Sequence, residues 1–457
     1  MNVYTTDKIR NVVILGHGGA GKTSLVESMA YLTGITSRLG NVAEGTTISD
    51  FDKEEIKRKF SISTTMVPII WGDTKINILD TPGYFDFFGE AEEAAAAADA
   101  AVIVVNGKNG VEVGTEKAWE LCEKYKLPRF IYVSNMDYDN ASYREVVETL
   151  TELYGKKIAP LHIPIRENEK FVGYVNVVKS AARRYVNKQE KVECPVPDYL
   201  EDYLAHYREH LLEAVAETSE ELMDRYFNGE EFSEAEIVAA LHTNVDDVSI
   251  VPVTMGASLN LQGIQILLDD IVSYMPSPEK RKIAGVNMKT KEVFEADYNF
   301  AKAKSAFVWK TIVDPFIGKY SMIKVASGVI KSDDTLYNEA KDSEERLSKL
   351  YVMEGSKAIE VKELHAGDLG AIGKLNAATG DTLSTKATPI AYGRIDAPIP
   401  YTYKRYRAKE KGEEDKVAQA LAKMAQEDLT LRVVNDGENR QTLIYLSLIH
   451  ISEPTRP

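Results

Sequence analysis

The chain has 457 residues, 44% hydrophobic and 27% charged, with a formal net charge of −15. That length exceeds one compact core and implies about two to four domains, while the acidic balance argues against a protein that coats DNA or RNA by charge alone. No run of about 18 apolar residues suggests a membrane span, and the two isolated cysteines, Cys122 and Cys194, fit a reducing compartment, the cytoplasm by default, and no metal cluster.

Residues 1–10 are polar and lead straight into a strand, so no signal peptide is expected. Residues 10–15 form a β-branched apolar run that reads as a buried strand, Gly16 to Gly21 as a glycine-rich turn, and Lys22 to Leu32 as a helix. Further strands are expected at Ile76–Leu79, Ala101–Val105 and Phe130–Val133, with helices at Gly89–Ala98 and Gly114–Lys124. Such alternation predicts a doubly wound, largely parallel α/β sheet. Val196 to Ala240 is charged and helical in period, and reads as a helical insertion. A strand at Ile250–Val253 and a helix at Ile264–Tyr274 precede the boundary Met275-Pro276-Ser277-Pro278.

From about Lys302 to Ala391 short apolar runs alternate with turn signals such as Asp314-Pro315, Ala366-Gly367-Asp368 and Thr379-Gly380-Asp381, which predicts a small antiparallel β-barrel. Proline-rich Ala397-Pro398-Ile399-Pro400 closes it, and Lys411 to Glu427 reads as an amphipathic helix opening an α+β third domain. The expected domains are a nucleotide-binding domain at 8–285 with its insertion at about 158–248, the barrel at 290–395 and the start of the third domain at 401–445. Residues 446–457 look like a translated sequencing adapter, so the natural protein is expected to continue differently after 445.

Gly16-His17-Gly18-Gly19-Ala20-Gly21-Lys22-Thr23 has the spacing of a phosphate-binding P-loop between a strand and a helix. Its glycines let backbone N–H groups and a helix N-terminus converge on phosphate oxygens. Lys22 can reach the β- and γ-phosphates, and the Thr23 hydroxyl can ligate Mg²⁺. Gly16 to Thr23, together with Ser24, are therefore candidate nucleotide-binding residues. His17 is expected at the exposed tip, without a role as a base. Asp80-Thr81-Pro82-Gly83 follows a strand: Asp80 is placed to hold the metal through water, and Gly83 to offer its N–H to a γ-phosphate.

Beyond these motifs, Gly45-Thr46-Thr47-Ile48-Ser49-Asp50, Asp80-Thr81-Pro82-Gly83-Tyr84-Phe85-Asp86-Phe87 and Gly256-Ala257-Ser258-Leu259-Asn260-Leu261-Gln262-Gly263 resemble the GTP-binding domain of the translation elongation factor G family. Tyr207 to Ala214 is similar to that family's helical insertion, Thr379-Gly380-Asp381-Thr382-Leu383 to its barrel domain, and Gln426-Glu427-Asp428-Leu429 to the opening of its third domain. The resemblance runs from about residue 8 to 445 in preserved order. It implies a monomeric GTPase using GTP/GDP and Mg²⁺, which meets the ribosome, both rRNA and ribosomal proteins, through its switch regions and barrel. Translocation is the implied task; a slow or non-catalytic GTP-binding regulator and an antibiotic ribosome-protection factor share the scaffold.

Three positions depart from the family pattern. Tyr84 stands where the family has the histidine that positions the attacking water; with a reference pKa of about 10 it is a poor mimic of protonated imidazole. With Lys22 and Gly83 it forms the candidate catalytic set, and slow or strictly ribosome-dependent hydrolysis is expected. The base-reading Asn-Lys-x-Asp falls on Ser134-Asn135-Met136-Asp137. Asp137 keeps the carboxylate that pairs with guanine N1–H and N2–H, whereas Ser134 and Asn135 replace the amide that ties the loop and the lysine stem over the base. Ala257 and Ser258, in the other guanine loop, are swapped relative to the family. Finally, Ser61 falls on the threonine that closes over Mg²⁺ and the γ-phosphate, which makes Thr23, Ser61 and Asp80 the candidate metal set.

Overall fold

The computed structural model describes residues 3–314, 318–393, 395, 396, 400, 402–408, 410, 412–436 and 441–446. The proposed adapter segment after 446, the proline-rich residues 397–399 and Pro315 of the expected turn lie outside the described residues. The chain divides into two units, one of Asp7–Gly83 with Ala98–Arg281, the other of Met1–Thr6, Tyr84–Ala97 and Lys282–Pro457.

In the first unit the β-branched run of the N-terminal strand becomes β1 (Ile9–Gly16), buried at all but its last residue. It pairs in parallel with β3 (Thr74–Asp80) and β4 (Ala100–Asn106). β2 (Thr65–Trp71), β5 (Arg129–Ser134), β6 (Ile158–Pro160) and β11 (Val251–Met255) complete a seven-stranded sheet in the order β2-β3-β1-β4-β5-β11-β6. β2 alone runs antiparallel to its neighbour. Its Pro68, which has no N–H to give, is tolerated because β2 is an edge strand. Helices α1 (Lys22–Leu32), α2 (Lys53–Arg58), α4 (Val113–Lys124), α5 (Tyr143–Tyr154) and α9 (Ile264–Tyr274) connect these strands. Val12, Ile14, Leu25, Met29, Val102, Phe130 and Leu267 share one core in which α1 and α9 pack on the sheet.

The insertion is not purely helical. β7 (His162–Glu167), β8 (Lys170–Asn176), β9 (Ala181–Tyr185) and β10 (Lys191–Cys194) form a four-stranded antiparallel sheet in the order β10-β9-β8-β7, before α6 (Asp198–Ala216), α7 (Glu220–Phe227) and α8 (Glu234–Asp246). β9 and β10 read Ala-Ala-Arg-Arg-Tyr and Lys-Val-Glu-Cys. Strands so short and charged carry no apolar alternation to announce them. The sheet packs through Ile163, Ile165, Val175, Val177, Ala182 and Leu200 in a small core of its own.

In the second unit β12 (Ile283–Asn287) and β13 (Val293–Ala296) pair as an antiparallel hairpin. The unit is built on β14 (Ser305–Ile312) and β15 (Tyr320–Ser327), long antiparallel strands within an eight-stranded antiparallel sheet. Three further strands, Thr402–Tyr406, Arg432–Asp436 and Gln441–Leu446, form a separate sheet beside a helix at Glu414–Glu427. Tyr403 to Tyr406, a stretch of basic and aromatic residues, lies in the first of these strands. The helix α3 (Phe88–Ala97) belongs to this same unit although it lies between β3 and β4 in sequence.

One ion cluster fastens α3 to β14. The Lys310 side chain is 2% exposed; its ammonium bonds Glu90 and lies 3.7 Å from Glu93. Burial opposes the charge on Lys310, but Glu90 and Glu93 outweigh it and hold its pKa above the ordinary value. Burial raises the Glu93 carboxyl well above its usual range, against the pull of Lys310. Removing the cation would leave buried acid without compensation, a defect worth about 3–5 kcal/mol. Lys310→Ala is therefore expected to lower the stability of the barrel unit by about that amount in urea unfolding; a loss below about 1 kcal/mol would show the cluster is not structural.

Candidate phosphate and base site

β1 ends at the P-loop, and α1 starts at Gly21, whose φ of 96° is the left-handed conformation that a glycine adopts without strain. Lys22 is buried and its ammonium donates to the carbonyls of Gly16 and His17, both at 2.9 Å. Burial lowers its pKa to about 8, with Asp80 and Asp50 pulling the other way. Gly83 closes against the loop: a Cβ there would fall on the Lys22 ammonium and stand 2.8 Å from the Gly18 nitrogen. A glycine is required for so near an approach of backbone to P-loop.

The two hydroxyls expected at the metal meet. Thr23 Oγ1 lies 3.0 Å from Ser61 Oγ, a contact between residues far apart in sequence. Asp80 lies at the end of β3, 1% exposed, and a second acid that the sequence reading passed over, Asp50, is 3% exposed. No carboxylate oxygen of either acid has a hydrogen-bond partner among the described residues. Burial and the charge of Asp50 push the Asp80 carboxyl up to about 7, although the Ser49 hydroxyl, Lys22 and Thr23 draw it down. Asp50 is raised by burial and drawn down by the Ser61 hydroxyl and Lys22. Two unpartnered carboxylates among three hydroxyls are the oxygen donors a hard divalent cation takes, and Mg²⁺ shared with phosphates uses one or two carboxylates. The residues present therefore fit Mg²⁺, which Thr23, Ser61 and Asp80 would hold with Asp50 alongside. The signal that could have found Asp50 was its place in the quoted Gly45–Asp50 segment.

On the base side, Ser134 keeps the tie that its residue type seemed to forfeit. Its hydroxyl donates to the Ala20 carbonyl at 2.6 Å, with the Val105 carbonyl at 3.3 Å. Asn135 has a left-handed φ of 55° and is too short to reproduce a lysine stem. The half-buried Asp137 accepts from the Asn260 amide at 3.1 Å, which fixes one carboxylate oxygen. Met136 N–H donates to the Gly256 carbonyl at 3.1 Å and joins the two base loops. Arg166, on β7, holds the first loop by donating to the carbonyls of Met136 at 2.6 Å and Tyr138 at 3.1 Å. Neither Asn260 nor Arg166 stands out in sequence, because a lone amide or guanidinium has no spacing signature. Ala257 is fully buried and its N–H is committed to the Gln262 carbonyl at 2.9 Å. Ser258 is buried too, and its carbonyl accepts from Ser28 at 2.8 Å.

One expectation changes. His17 is not a free tip: its Nδ1 accepts from the Gly114 N–H at 3.2 Å and its Nε2 lies 3.6 Å from Glu112, at the start of α4. Gly114 has no Cβ to collide with the imidazole, which is what lets the ring pack there. Tyr84, 42% exposed, caps a short 3₁₀ turn at Phe85–Phe87 and opens the stretch assigned to the barrel unit.

The comparisons with known proteins follow the same order along the chain. Residues 7–277 match the family described as the elongation factor Tu GTP binding domain. Residues 303–386 match elongation factor G domain 2, and residues 397–446 match elongation factor G, domain III. A crystal structure of a protein from Thermus thermophilus superposes with a TM-score of 0.85 at 32% sequence identity, covering 96% of this chain. The chain spans 64% of the length of that protein's chain. Among the described residues no helix is long and apolar enough to cross a membrane.

A buried Asp80 must lose its proton before a cation can take its oxygens. With its pKa raised to about 7, Mg²⁺-dependent nucleotide affinity should rise about tenfold per pH unit below about 7 and level off above about 8. Calorimetry across that range, with Asp80→Asn as the flat control, checks it. A flat profile in the unaltered chain would show that Asp80 is already ionised without the metal.

Proposed function

We propose a function from one premise: the chain belongs to the elongation factor G-like family of GTP-binding translation factors. On that premise it binds GTP with Mg²⁺ and hydrolyses it slowly, on the ribosome, in the service of translocation. The observation that carries the reading is the meeting of Thr23 and Ser61 at 3.0 Å beside two buried carboxylates that have no hydrogen-bond partner among the described residues. The contact brings together hydroxyls 38 residues apart in sequence, which supports a ligand shared by Thr23 and Ser61.

In this reading Lys22 leaves the Gly16 and His17 carbonyls and turns its ammonium to the β- and γ-phosphate oxygens. Gly83 N–H donates to the γ-phosphate, and any change there pulls directly on Tyr84, the next residue. Asp137, braced by Asn260, accepts from guanine N1–H and N2–H, the pair that adenine lacks. Thr23, Ser61 and Asp80 would hold Mg²⁺, which would supply positive charge against the charge that develops on the departing γ-phosphoryl group. Water attacks the γ-phosphorus in line, the bond to the β-γ bridging oxygen breaks, and GDP and phosphate result. Tyr84 can accept or donate one hydrogen bond to that water but does not carry the positive charge of an imidazolium, which is the reason for slow turnover. A second reading follows from the same residue: a GTP-binding regulator in which Tyr84 keeps the triphosphate state long-lived.

Calorimetry with Mg²⁺ and non-hydrolysable analogues should show GTP preferred over ATP by at least about 100-fold; equal affinities would remove the guanine assignment. In ribosome-stimulated turnover, Tyr84→His should raise the rate by about 100-fold over a slow wild type. Wild-type turnover as fast as the variant's would refute the role given to Tyr84, and none at all in either would favour the regulator.

A further inference from the structure

We propose that Glu55 is the positioning residue that holds Ser61 over Thr23. The inference deepens the reading of Ser61 as a ligand of Mg²⁺ and the γ-phosphate, and rests on it. Glu55 is a buried acid, 2% exposed, with no part in the chemistry above. Its Oε1 accepts the backbone N–H groups of Ile62 at 2.9 Å and Ser63 at 3.1 Å, and its Oε2 accepts that of Asp52 at 3.1 Å. One carboxylate thus fastens the start of α2 to the chain immediately after Ser61. On the other side of Ser61, Lys59 turns the chain in the left-handed region, at φ 62°. The serine is therefore fixed from both directions, by a corner two residues before it and an anion one residue after.

The energetics explain the choice of residue. A buried carboxylate is costly unless bonded, and three backbone donors offset part of that cost with hydrogen bonds, although burial still outweighs them and raises the pKa of the Glu55 carboxyl. A glutamine offers a single acceptor oxygen, so it cannot serve both ends of the clamp. The same device appears on the earlier half of the loop, where the buried Glu27 of α1 accepts from Gly40 N–H at 2.8 Å and Ile48 N–H at 2.7 Å, just before Ser49 and Asp50. Glu27 sets the first half of the loop against α1; Glu55 sets the Ser61 half against α2.

The test is calorimetry on the whole chain with Mg²⁺, comparing GDP with a non-hydrolysable GTP analogue for wild type, Glu55→Gln, Ser61→Ala and the double variant. Glu55→Gln should weaken the analogue by about tenfold or more, as expected for losing hydrogen bonds to a charged group, and leave GDP within about twofold. Because Glu55 acts through Ser61, the double variant should bind the analogue no more weakly than Ser61→Ala alone. Additive losses, or an equal loss of GDP, would make Glu55 a general brace of the fold and overturn the proposal. A Ser61→Ala variant with unchanged analogue affinity would sink the reading of Ser61, and this inference with it. If Glu55→Gln melts below assay temperature, hydrogen exchange on the unaltered chain decides: stronger protection of the Ile62 and Ser63 amides with the analogue than with GDP supports the clamp, and equal protection rejects it.

Discussion

Burying Asp50 and Asp80 with Lys22 concentrates two anions and one cation where water cannot solvate them, and no carboxylate oxygen of either acid has a well-formed hydrogen bond among the described residues. Such a group can be tolerated only by shifting its protons or by taking in positive charge. The raised Asp80 carboxyl and the lowered Lys22 ammonium are the first response, and a divalent cation would be the second. Much of the surrounding architecture serves to hold that imbalance in place. β3 delivers Asp80, α1 delivers Lys22 and Thr23, and the loop before β2 delivers Ser49, Asp50 and Ser61.

The parts of the structure legible in sequence were those with a period or a spacing. The strand-turn-helix around Gly16–Thr23 and the helix Ile264–Tyr274 were legible because apolar repeats and glycine spacing are local. The alternation of strands and helices gave the parallel sheet, and the rhythm of turns gave the barrel. What escaped were features that depend on a partner. β9 and β10 lack alternation because they are short and carry two charged residues each, and their pairing is decided by neighbours across the sheet. Asn260 and Arg166 escaped for the same reason: each matters through hydrogen bonds to a loop distant in sequence.

The second unit adds a lesson about continuity. α3 follows the Asp80–Gly83 turn directly, yet its acids pair with Lys310 on β14, over two hundred residues away. The helix that begins after Tyr84 is thus bound by charge to the barrel unit, while the glycine before it, packed against the P-loop, belongs to the sheet unit. A single peptide bond separates the two memberships.

Ser134 shows how such a site tolerates drift. The position needs a donor aimed at the Ala20 carbonyl, and a hydroxyl on a short side chain supplies it at 2.6 Å as well as an amide would. What is lost is the amide's second N–H, which this carbonyl does not use. Pattern searches that insist on asparagine would discard the chain as degenerate, whereas a search for any donor at the end of the fifth strand would keep it. The substitution is a change of spelling at a position where the grammar asks only for a proton.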